Sequence, residues 1–96
     1  MFTSKQRSNL RSIAQTIEPI GQIGKGGLTE NMLVGLSDAL DKRELIKITL
    51  LKNSDEEIKC LADEIADKLG GEVVCTIGRK IVIYRKSDKL TKHIAF

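Results

Sequence analysis

The chain has little of what most site chemistries need. It has no tryptophan and three aromatic residues, Phe2, Tyr84 and Phe96, too few for a base-stacking platform. Its one histidine, His93, lies in a polar tail with no second metal-ligating residue near it, so no metal site is expected and the ring reads as a solvated tail group. Two cysteines, Cys60 and Cys75, form neither a CxxC pair nor a zinc framework and read as reduced core thiols. There is no Ser/His/Asp or Cys/His set and no carboxylate pair in an apolar setting, so neither an enzyme nor a cofactor is expected. The acidic run Asp55, Glu56 and Glu57 reads as first-turn helix charge. No apolar run approaches the roughly 20 residues that cross a bilayer, and MFTSKQRSNL lacks the apolar core of a signal peptide. A cytoplasmic protein with no membrane partner is therefore expected.

What is present is a chain of 96 residues, 41% hydrophobic and 30% charged, with one proline. That length and balance fit one globular domain with a modest core. The net charge of +3 is unevenly spread: residues 1–28 carry four basic and one acidic side chain, residues 29–70 six and ten, and residues 71–96 six and two. The segments are thus +3, −4 and +4, which sum to the whole-chain value. If the ends meet in the fold they make a basic surface backed by an acidic one, suited to a polyanion; the alternative is ordinary solvated faces.

Hydrophobic spacing gives the element order. Thr3 and Gln6 have capping-box spacing, and Leu10, Ile13, Ala14 and Ile17 recur at helical intervals, predicting a first helix to about residue 16. Pro19 stops it, and Ile20 to Ile23 offer a short strand. Thr29 is placed to cap a second helix whose stripe is Met32, Leu33, Leu36, Ala39 and Leu40, ending near Lys42. ELIKITLL is a strand with Ile46, Ile48 and Leu50 on one face and Lys47 and Thr49 on the other. Ser54 and Glu57 have capping-box spacing before the stripe Ile58, Leu61, Ala62, Ile65, Ala66 and Leu69, and Gly70–Gly71 ends that helix. EVVCTI and RKIVIYR, joined at Gly78, read as a hairpin. The order α-β-α-β-α-β-β predicts an α+β fold with a four-stranded mixed sheet, the first three strands parallel and the fourth antiparallel. Lys47, Thr49, Lys80 and Arg85 interrupt the strands, which favours two layers over a doubly wound sheet.

The stretch IGKGGLT falls between the first strand and the second helix, where free amides and the helix dipole favour an anion. It is not a Walker A loop, because Gly27 is followed by Leu28, nor a dinucleotide fingerprint, because Thr29 stands where glycine is required. It does contain GxxG, Gly24 to Gly27, with Lys25 at the first variable position. KH domains use that pattern to clamp a nucleic-acid backbone; a plain strand-to-helix turn is the competing reading.

IGKGGLTENM, followed by RELIKI and then IGRKIVIYR, resembles the CRM domain, the chloroplast RNA splicing and ribosome maturation module, in its bacterial single-domain YhbY-like form. The resemblance runs from Ser4 to Arg85 and implies a CRM-type RNA-binding domain over residues 1–86, with residues 87–96 as a polar C-terminal tail. It implies a fold like the C-terminal domain of translation initiation factor three and association with ribosomal RNA in precursors of the large ribosomal subunit; plant relatives use the module in intron splicing. The GxxG loop falls on Gly24, Lys25, Gly26 and Gly27, many relatives having asparagine at the position of Gly26. The last block falls on Ile77, Gly78, Arg79, Tyr84 and Arg85. The expected RNA contacts are the loop, Lys5, Arg7 and Arg11 of the first helix, and Arg79, Lys80 and Arg85, although strand parity separates Lys80 from the two arginines. A monomer is expected. The alternative is a protein-interaction adaptor docking on the assembling ribosome through the third helix, with incidental RNA contact.

Overall fold

The computed structural model describes residues 2–52, 57–91 and 93–96. The elements are α1 (Ser4–Ala14), β1 (Gly21–Ile23), α2 (Glu30–Arg43), β2 (Leu45–Leu50), α3 (Ile58–Leu69), β3 (Glu72–Ile77) and β4 (Lys80–Tyr84). The expected order and the mixed four-stranded sheet are both present.

Local chemistry sets most boundaries. Thr3 Oγ1 accepts from Gln6 N at 3.1 Å while Gln6 Oε1 accepts from Thr3 N at 3.0 Å, which closes the capping box of α1. That helix ends at Ala14, two residues early, because Thr16 N and Thr16 Oγ1 both turn back to Ile13 O. Thr29 Oγ1 accepts from Met32 N and caps α2. Ser54 of the third expected cap lies outside the described residues, as do Asp55 and Glu56; Glu57 occupies the N-cap position of α3 and precedes the helix rather than charging its first turn.

At the far end of α3, Gly70 has φ 68° and the Gly71 amide donates to Ala66 O, a glycine C-cap. A Cβ on Gly71 would lie 2.8 Å from the backbone oxygen of Tyr84. Gly71→Ala is therefore expected to destabilise the fold by about 1–3 kcal/mol, the usual range for overpacking; a melting curve matching wild type would contradict this contact.

β1 pairs parallel with β2, β4 pairs antiparallel with both β2 and β3, and the order across the sheet is β1-β2-β4-β3. Thus β1, β2 and β3 run one way and β4 the other, with β4 inserted between β2 and β3. Gly78, at φ 58°, is the first of the two residues joining Ile77 to Lys80, as a type II′ hairpin loop requires. One row across the sheet reads Gln22, Thr49, Lys80, Ile77; another, at the opposite end, reads Leu45, Tyr84, Glu72.

The main core lies between one sheet face and α2 and α3. Ile23, Ile46, Ile48, Leu50, Ile81 and Ile83 meet Leu36, Leu40, Leu61, Ile65 and Leu69. Each such side chain contributes about 1.5–3 kcal/mol on burial. Layering differs from expectation on the other face, where α1 forms a partial third layer: Leu10 and Ala14 pack on Leu45, Val74 and Val82. Lys47, expected to leave that face open, is 8% exposed, its Nζ donating to Ala14 O at 3.0 Å and Ile17 O at 3.4 Å. The carbonyls of Ala14 and Ile17, at and just beyond the end of α1, thus satisfy the buried ammonium.

The C-terminal residues join the same layer. Phe2, Tyr84 and Phe96 pack edge-to-face with centroids 5.0–5.7 Å apart, and Ile94 packs beside them. His93 is not a free tail group: its Nδ1 lies 2.6 Å from Glu44 Oε2. Cys75 lies partly buried under α1, as expected of a core thiol, but Cys60 is exposed on α3.

Candidate nucleic-acid interface

Because β1 and β2 are parallel neighbours and β4 starts where β2 ends, one end of the sheet collects three connections: residues 24–29, the segment after Leu50, and the hairpin tip. The first of these is the glycine loop. Gly27 N donates to Gly24 O at 3.0 Å and Gly27 has φ 70°, so Lys25 and Gly26 are the two central residues of a closed β-turn. Both are exposed. A Cβ at Gly26 would meet nothing within 4 Å, and Gly26 has no positive φ, so the asparagine of many relatives would fit there without strain.

Arg79 ties the hairpin tip to the neighbouring strand end. Its Nε donates to Leu50 O at 3.0 Å and its Nη2 to Leu51 O at 2.6 Å, while its own carbonyl accepts from Leu50 N at 2.7 Å. Leu51 N in turn donates to Ile23 O at 2.8 Å, the last residue before the glycine turn. Arg79 is nevertheless solvent-exposed. Lys80 is exposed on the α1 side of the sheet, next to Thr49 in the register. Lys52, also exposed, follows directly from the clamped Leu51. Lys52 is not among the contacts expected from the sequence; the parallel pairing of β1 with β2, which brings the residues following both strands to one end, places it here.

The remaining expected contacts are divided. Arg11 is exposed on α1, and its charge reaches Cys75; burial pushes that thiol up, and Arg11, Arg7 and Lys47 pull it back only in part. Lys5 is exposed nearer the start of α1. Arg7 is committed: its Nη1 donates to Val73 O and Val74 O at the bulge of β3, and its guanidinium sits 5.5 Å from the Phe2 ring centroid. Arg85 is committed further. It donates to Leu69 O at 2.8 Å, to Ser37 O at 2.9 Å and to Asp41 Oδ1 at 2.9 Å. It also lies five residues along the chain from Lys80, about 17 Å at strand spacing. The block IGRKIVIYR therefore spans the sheet, with Ile77, Gly78 and Arg79 at the loop end and Tyr84 and Arg85 at the other.

The two basic ends of the sequence do meet, through α1 on β3 and Phe2 on Tyr84 and Phe96, while the acidic middle segment supplies both helices of the opposite layer. No helix among the described residues is long and apolar enough to cross a membrane.

Comparison with known proteins gives consistent results. A family model for the CRS1/YhbY (CRM) domain matches residues 2–85. The chain is 41% identical over 89 residues to "Probable RNA-binding protein YqeI" of Bacillus subtilis, covering 93% of each. It is 31% identical over 94 residues to "Probable RNA-binding protein PA4753" of Pseudomonas aeruginosa, covering 98% of this chain and 90% of that protein. The solution structure of SAV1595 from Staphylococcus aureus superposes with a TM-score of 0.80 at 48% identity, over 96% of this chain and 95% of that one.

Proposed function

Because the chain belongs to the CRS1/YhbY (CRM) domain family, we propose that it is an RNA-binding protein whose contact surface is the loop end of the sheet. What carries this reading is the meeting there of an exposed glycine turn with Lys25, Lys52, Arg79 and Lys80. The glycines keep side chains off the backbone of the turn, and the positive end of the α2 dipole lies just beyond it, so a phosphate is favoured there, and the lysines supply charge. Arg11 extends the surface along the α1 side. Arg7 and Arg85 act by holding the fold, their donors being occupied by carbonyls and, for Arg85, Asp41. The RNA is ribosomal, in precursors of the large subunit, as the likeness to the bacterial single-domain form implies.

Binding of this kind is mainly electrostatic, so affinity falls steeply with salt. Lys25→Asp is expected to weaken binding of ribosomal RNA fragments roughly fivefold to tenfold near physiological salt and to lower the salt slope by about one. Its melting temperature should stay at the wild-type value, as for other surface substitutions. Anisotropy titrations across a salt series read both quantities. Unchanged affinity removes the loop from the site, and a flat salt response removes phosphate as the ligand. Exhaustive nuclease treatment of cell extracts tests the anchor: association with large-subunit precursors collapses if RNA holds the protein there and persists if a protein partner does.

A further inference from the structure

We infer that the cleft between β1 and α2 seats the base of an unpaired nucleotide whose phosphate lies on the Gly24–Gly27 turn, making single-stranded RNA the preferred ligand of this end. The inference rests on the loop reading above and adds the class of RNA. The cleft has a volume of about 240 Å³ and is walled by Ile20, Ile23, Met32, Leu36 and Ile48, with Gly35 on its helix side. Its two walls are the elements that the glycine turn joins, so a nucleotide held at the turn by its phosphate has its base at the cleft mouth. Apolar walls reject a second phosphate and accept a flat uncharged ring.

Two backbone features shape the cleft for such a group. At Gly35 an added Cβ would meet nothing within 4 Å, so glycine leaves space that a side chain would take. β1 is an edge strand paired only with β2; because Ile23 O is turned to Leu51 N and successive residues alternate, the backbone groups of Gln22 point outward at the rim, where they can hydrogen-bond the edge of a base. The aromatic residues give no rival seat: Phe2, Tyr84 and Phe96 are packed on one another at the opposite end. A duplex keeps its bases stacked inside and cannot use the cleft, whereas a single strand can present one.

The test compares three probes of equal length: a short single-stranded oligoribonucleotide, the same strand with abasic sites, and its duplex. Wild-type protein is expected to bind the intact single strand about tenfold more tightly than the abasic strand, near the lower end of what one seated base contributes, and more tightly than the duplex. Gly35→Leu, which fills the cleft, is expected to bind the intact strand only as well as the abasic one, with duplex affinity unchanged. Equal binding of intact and abasic strands overturns the inference on the unmodified protein, whatever the variant's stability. Gly35→Leu with wild-type affinity for the intact strand also overturns it, and is the result expected if the cleft receives a protein side chain instead. Failure of the loop reading looks different: Lys25→Asp then binds all three probes like wild type, which removes the premise and the inference with it.

Discussion

Arg85→Ala is expected to lower the melting temperature by roughly 12–24 °C, from about 3 kcal/mol of lost stability at 4–8 °C per kcal/mol in a domain of this size. RNA affinity of the folded protein should not change. The guanidinium joins three elements: it bonds Leu69 O at the end of α3, and Ser37 and Asp41 on α2, from its place just beyond β4. Truncation strips Leu69 O, at the end of α3, of its charged donor and takes one donor from Ser37 O and from Asp41, which keep the α2 ladder and Lys89 respectively; the loss of these charge-assisted bonds in a half-buried setting sets the figure. Most of the figure comes from the carbonyl bonds, because a partly exposed ion pair contributes little. Arg85→Lys should recover less than half, since one ammonium cannot reach both helices in the fork geometry of arginine. Calorimetry and an RNA titration on the same sample separate the outcomes; a stable variant that binds RNA weakly would return Arg85 to the interface.

Glu44→Gln is expected to cost about 2–3 kcal/mol at neutral pH. Glu44 is fully buried and holds a left-handed backbone conformation at the end of α2, φ 64°. Its Oε2 accepts from Ser87 N at 2.7 Å and meets His93 Nδ1 at 2.6 Å, while Oε1 accepts from Ile94 N at 3.0 Å. A glutamine must turn its amide group toward one of these donors, leaving two donors face to face. Burial pushes the Glu44 carboxyl up, but the Ser87 amide, His93 and the Ile94 amide outweigh it and hold the group below its ordinary value of 4.5. A carboxylate lowered in the fold contributes stability that is fully present above the ordinary value and is lost as pH falls through the lowered one. The gap in melting temperature between wild type and Glu44→Gln should therefore be full at neutral pH and close below about pH 4.5. A gap independent of pH would mean that shape rather than charge holds the tail.

The helices were legible in the sequence because their information is local: a cap, a stripe and a stop lie within one segment each. Thr3 with Gln6, Thr29, and Gly70 with Gly71 all act where spacing put them. The hairpin was equally plain. What spacing could not convey is that β4 enters between β2 and β3, because a hairpin specifies which strands are neighbours but not which of them faces the rest of the sheet. The same limit governs the site. Arg7 and Arg85 look like free cations in a sequence, but their acceptors are carbonyls up to 67 residues away. Lys47 is buried against a helix end 33 residues away. His93 reads as solvated until Glu44, 49 residues earlier, is brought against it. The glycine turn was legible because its character is in the backbone.

Arg79 has a consequence for how selectivity can arise. Its bonds to Leu50 and Leu51, and the bond from Leu51 to Ile23, fasten the hairpin tip, the end of β2 and the start of the glycine turn into one piece before any ligand arrives. The backbone of Lys80 is held as well, by strands on both sides. Little ordering is then left to occur on binding, which favours affinity. It also means that the interval between the backbone positions carrying these positive groups is set by the fold. On the proposed surface an RNA must bring its phosphates at that interval, so binding there would discriminate by backbone geometry while remaining indifferent to much of the base sequence.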